Sequence, residues 1–134
     1  MKIERYEIEI ATPGSPSLGA SELKSIADVE EQLERLPDPP CFLLVAALGG
    51  NVDFGNFLLW TNGVRAIAKL YEHRDFSAEE REKTGNGGSS VLFCDNDGEG
   101  FVEISENTIT HESAMNAMRH WMQTMEQTPD LKWR

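Results

Sequence analysis

Residues 41–71 read CFLLVAALGG NVDFGNFLLW TNGVRAIAKL Y, and the fold turns on this stretch. Residues 41–48 form a short continuous apolar run, the pattern of a central strand. Gly49-Gly50-Asn51 makes a turn, and residues 54–60 read as the next strand, with a bulge near Gly55-Asn56. Thr61-Asn62-Gly63 carries an Asn-Gly hairpin signal, and residues 64–71 follow as another strand. Links this short between consecutive strands require antiparallel pairing.

Upstream, Tyr6, Ile8 and Ile10 alternate with Arg5, Glu7 and Glu9, which predicts a half-buried strand. Residues 12–19, with Pro13, Gly14 and Pro16, read as a loop. Ile26, Val29, Leu33 and Leu36 recur at spacings of three and four, one apolar stripe on a helix of about three turns. Ser25 is its expected N-cap, Asp28 suits the first turn, and Pro37 ends it. Glu30, Glu31 and Glu34 lie on the opposite, solvated face.

Downstream, residues 73–89 are polar and glycine-rich and read as a mobile loop with at most one helical turn. Residues 91–94 and 101–104 are two further strands around a turn at 95–100. Thr110 is a good N-cap for a last helix carrying Ala114, Ala117, Met118, Trp121, Met122 and Met125 on one stripe, a core pattern rather than a cofactor box. Pro129 stops it, and Leu131 and Trp133 form a short final strand. The expectation is a single α+β domain over residues 1–134: an antiparallel sheet of about five to seven strands with two helices packed on it.

The chain holds 23 acidic and 12 basic residues, a formal net charge of -11. Phosphates would be repelled, so direct nucleic-acid binding is not expected; an acidic surface suits water, metal cations or a basic protein partner. Residues 72–106 alone hold 10 acids against 3 bases, so the excess is local. No apolar run is long enough to cross a membrane, and the first ten residues alternate charge with apolar side chains, unlike a signal peptide. Cys41 and Cys94 both lie in apolar runs, which reads as buried free thiols in a reducing cytosol, with one disulfide as the alternative.

Residues 95–106 can be written as a calcium loop, with Asp95, Asp97 and Glu99 at positions 1, 3 and 5, Gly100 at 6, Glu103 at 9 and Glu106 at 12. The flanks argue for a β-hairpin turn instead, since strand-like residues stand where an EF-hand needs its two helices. His73, His111 and His120 show no metal spacing, and no nucleophile–base order, phosphate loop or Cys-x-x-Cys can be written. Neither an enzymatic activity nor a cofactor is expected.

Three places resemble the Imm1 family of bacterial immunity proteins. The first is Gly49-Gly50 with a strand ending at Trp60 and an Asn62-Gly63 turn. The second is residues 91–95 followed by Asp97-Gly-Glu-Gly100. The third is Thr110, Glu112 and Ala114 opening a helix that holds Ala117-Met118 and Trp121, then Pro129 and Leu131-Lys-Trp133. The resemblance implies a cytoplasmic protein that binds a cognate toxin domain, a nuclease or nucleic-acid deaminase with a basic cleft, and occludes its active site. A small calcium-binding module is the alternative. Alternating turns bring the Thr61–Gly63 hairpin and the 95–100 turn to one end of the sheet, where Arg65 is the one nearby base. The expected toxin-binding residues are therefore Trp60, Asn62, Asp95, Asp97 and Glu99, an aromatic beside unpaired carboxylates.

Overall fold

The computed structural model describes residues 2–134. Strands β1 (Arg5–Ala11) and β2 (Ser21–Leu23) precede helix α1 (Ile26–Glu34). Strands β3 (Cys41–Gly49), β4 (Val52–Thr61), β5 (Arg65–Tyr71), β6 (Asp75–Glu80), β7 (Ser90–Cys94) and β8 (Gly100–Ile104) follow. A 3-10 turn at Ser105–Asn107, strand β9 (Ile109–Thr110), helix α2 (His111–Thr124) and strand β10 (Leu131–Trp133) complete the chain.

The main sheet runs β10-β6-β5-β4-β3-β1-β2, with β9 beside the first residues of β5, eight antiparallel strands in all. This is the expected α+β class, with one strand more in the sheet than the upper end of the expected five to seven. β6 corrects the reading of residues 73–89 as a loop. Its apolar content is only Phe76 and Ala78, and main-chain pairing to β5 on one side and β10 on the other makes it a strand. β7 and β8 also depart from a simple meander: they pair only with each other, as a separate two-stranded ribbon.

The bulge falls where the glycine marked it. Ala47 pairs with Gly55 and Leu48 with Asp53, so Phe54 is the extra residue. Gly55 sits at φ +139, and a Cβ there would meet the Tyr71 carbonyl oxygen at 3.0 Å and the Trp121 ring at 3.2 Å. Ser25 and Thr110 cap their helices as read: their side chains accept from Asp28 N at 3.1 Å and Ser113 N at 3.1 Å.

One face of the sheet carries both helices. Leu43 and Val45 of β3, Phe57 and Leu59 of β4, and Ala66, Ala68 and Leu70 of β5 are buried there, together with Val29 and Leu33 of α1. Met118 and Trp121 of α2 are completely buried in the same core. Alternation sends Phe42, Leu44 and Ala46 of β3 and Leu58 and Trp60 of β4 to the other face. The ribbon packs there, across β3 and β4, with Val91 and Phe93 buried beneath it. Cover on both faces explains the unbroken apolar sequence of β3. Both cysteines are buried free thiols.

Candidate functional site

Trp60 sits one residue before the end of β4, half-buried on the ribbon face. Its ring meets Phe42 at 5.3 Å between centroids. Its indole N–H donates to Asp95 Oδ1 at 3.1 Å, joining β4 to the ribbon tip across 35 positions of sequence. Trp60 and Asp95 thus meet at one end of the sheet, as expected, but Asp95 is not the unpaired carboxylate that was expected there. The same oxygen accepts from Asn96 N at 2.8 Å.

Beyond Asp95 the chain turns tightly. Gly98 N donates to Asp95 O at 3.0 Å, Asp95 N to Glu99 O at 2.9 Å, and Asp97 Oδ1 accepts from Glu99 N at 3.0 Å. The tip is braced from the side by the loop after β1, where Gly14 N donates to Gly98 O and Ser17 N to Asn96 O, each at 3.0 Å. Asp97 and Glu99 stay exposed on this rigid turn. Asn62 shapes the backbone instead of facing a partner. Its Oδ1 accepts from Val64 N at 2.8 Å and Arg65 N at 2.7 Å, which forms the β4–β5 turn.

Arg65 does not face the tip, contrary to expectation. It turns toward the 80–84 segment and the 3-10 turn, reaching Glu80 Oε1 at 3.1 Å, Thr84 Oγ1 at 2.7 Å, Thr108 Oγ1 at 2.8 Å and Thr108 O at 2.7 Å. The Arg65 and Glu80 side chains are only 12% and 8% exposed, so the pair stands on these satisfied hydrogen bonds rather than on charge alone. Burial alone would raise the Glu80 carboxyl. Thr84, through its N–H and hydroxyl, and Arg65 together outweigh it and hold the group below its ordinary value. The cation beside the tip is Lys69, whose ammonium lies 5.8 Å from the Trp60 ring centroid.

Three features of the ribbon escaped the sequence reading. Phe101 and Glu103 point toward the sheet, while Val102 and Ile104 point to solvent, 65% and 45% exposed. Leu92, paired with Val102, is 55% exposed on the same outer face. A cleft of about 270 Å³ separates ribbon and sheet, lined by Trp60, Ile67, Lys69, Asp95, Phe101 and Glu103. The signal was in β8 itself: once Phe101 is paired with Phe93, alternation must turn Glu103 inward.

The twelve residues of the calcium reading do not converge. β8 is extended, and at roughly 3.3 Å per residue it carries Glu106 away from Asp95. Glu103 Oε1 accepts from Ile104 N at 2.9 Å and Asn107 Nδ2 at 3.3 Å. Among the described residues no three His, Cys, Asp or Glu side chains gather as a metal set.

A second cavity, of about 440 Å³, opens between the end of α1, the start of α2 and the β4–β5 turn, with Cys41, Thr61, His111, Glu112 and Arg119 in its wall. His111 is half-buried there with Nδ1 2.6 Å from Thr61 Oγ1. Burial, and then the charge of Arg119, hold the His111 pKa below its ordinary value, so the imidazole is neutral at pH 7. Burial and the nearby Cys94 push the Cys41 thiol up to about 11, which leaves it protonated and unreactive.

The chain matches no family model and no curated protein. The Imm1 resemblance therefore rests on the residues that carry it.

Proposed function

We propose that this protein is an immunity protein that binds a cognate bacterial toxin domain through its ribbon face and blocks the toxin's active site. The observation that carries the reading is the Trp60–Asp95 hydrogen bond. It fixes a half-buried aromatic beside a braced acidic turn, on the one face of the sheet that no helix covers. Interfaces place aromatic side chains at a desolvated centre and charge at the rim, and this face has both. Leu92, Val102 and Ile104 extend it as exposed apolar surface, which a lone domain gains nothing by displaying.

The proposed mechanism is occlusion. A nuclease or nucleic-acid deaminase must attract phosphates, so its cleft is basic. Asp97 and Glu99 would take the places of substrate phosphates, and Trp60 with the ribbon would exclude water around them. The net charge of -11 would steer the encounter and speed association. Action in the cytoplasm, where the producing cell's own nucleic acids need protection, belongs to the same proposal.

The test is whether a gene beside this one encodes a toxin domain and, where it does, co-expression of the two. The reading expects survival with both proteins and a stable complex on gel filtration. Death of the co-expressing cells, or two separately eluting proteins, would refute it.

A further inference from the structure

Resting on that reading, we propose that the cleft between β8 and the β4–β5 strands receives an arginine side chain of the toxin domain. The cleft has an aromatic wall, Trp60 and Phe101, and a carboxylate at two points of its lining, Asp95 and Glu103. Each carboxylate spends one oxygen within the protein: Asp95 Oδ1 on the Trp60 indole and Asn96 N, Glu103 Oε1 on Ile104 N and Asn107. The second oxygen of each accepts no hydrogen bond among the described residues.

A side chain that stacks on an aromatic face and donates in two directions in one plane fits this lining. Guanidinium does both, whereas an ammonium is a point charge. Lys69 illustrates the difference. Its ammonium lies over the Trp60 ring yet makes no ion pair among the described residues, with Asp95, Glu103 or any other acid. Lys69 marks the cation position on Trp60 and would be displaced by the incoming arginine.

The occupant comes from a protein rather than from solution because the apolar residues Leu92, Val102 and Ile104 cover the outer side of the same ribbon. They need a macromolecular surface against them. An inward carboxylate also discourages a bare edge strand from pairing with another edge, so Glu103 would steer the partner toward side-chain insertion rather than strand addition.

The experiment follows the Trp60 indole N–H signal by NMR in the isolated protein during titration with N-acetyl-arginine amide. N-acetyl-citrulline amide is the uncharged control. A saturable shift in the millimolar range with arginine, absent with citrulline, is expected. Glu103→Gln, which keeps an acceptor for Ile104 N, should weaken binding about tenfold, the worth of one charged hydrogen bond. Lys69→Gln should strengthen it by removing the competing cation. Unchanged Trp121 and Trp133 indole signals show that each variant is folded. No saturable shift, an equal shift with citrulline, or full binding by Glu103→Gln would overturn the proposal. Toxin neutralisation without arginine binding would refute the cleft and leave the immunity reading. Arginine binding without neutralisation would do the reverse.

Discussion

On the helix side of the sheet Trp121, Phe57, Met118 and Leu59 are fully enclosed, whereas on the ribbon side Trp60, Leu58, Ile67 and Phe101 stay half-buried. Two amphipathic helices present wide apolar stripes and enclose these four side chains, leaving a cavity only where the end of α1 meets the start of α2. A two-stranded ribbon is narrower than the sheet it lies on and leaves a cleft at its margin. The helix side thus keeps its largest apolar side chains within one chain. The ribbon side has together aromatic surface, outward apolar residues and carboxylate oxygens that accept nothing among the described residues, and we propose that a second molecule finishes it.

The helix face should be the most fragile under substitution. Trp121→Ala removes the largest fully buried side chain, and calorimetric unfolding should show a loss of ~3–5 kcal/mol. Trp121→Phe should cost much less, because the buried indole N–H has no partner among the described residues and an unsatisfied buried donor itself costs about 1–3 kcal/mol. If Trp121→Ala melted like the parent, the division between a closed and an open face would collapse.

Next in size is the Arg65–Glu80 pair. Glu80→Gln should lower stability by about 3 kcal/mol, since it leaves a buried guanidinium short of its counter-charge. The pH dependence has a definite sign. The folded carboxyl titrates below its unfolded value, so its contribution is complete above the unfolded value and is lost as pH falls through the folded one. Denaturant melts toward acid should show that loss in the parent and less of it in Glu80→Gln.

The ribbon's outer face should respond in the opposite way. Leu92→Ser with Val102→Ser should change stability by no more than about 0.5 kcal/mol per site, because both side chains are exposed already. The same pair should lose much of the affinity for the toxin domain in a calorimetric titration. A large stability loss would make these residues part of the fold and remove them from the interface.

Much of this contrast can be read in the residues, and its gaps have physical causes. Helix α1, helix α2 and strands β3 to β5 announce themselves through capping residues, periodicity and an Asn-Gly turn. β6 does not, because the neighbours on both sides supply its hydrogen bonds and its own side chains carry almost no pattern. β2 and β9 span three and two residues, too few for a period. Trp60 beside Asp95 follows from counting turns. The hydrogen bond between them does not, nor does the inward Glu103, because Val102 and Ile104 look like the core-facing residues of β8 until its pairing with β7 is known. His111 in a cavity with Thr61 was equally hidden, since a residue at the first turn of a helix has no partner in its own segment.

The most direct test is the association rate of the proposed cognate toxin domain with the parent and with Asp97→Lys/Glu99→Lys, measured by stopped flow across a salt series. Both side chains are exposed on a turn held by main-chain bonds, so melting should be nearly unchanged. The account predicts that the double variant associates more slowly at low salt and shows a shallower dependence on ionic strength, since charge steering at the tip has been reversed. Equal rates and equal salt dependence for parent and variant would contradict it and move the interface away from the ribbon face.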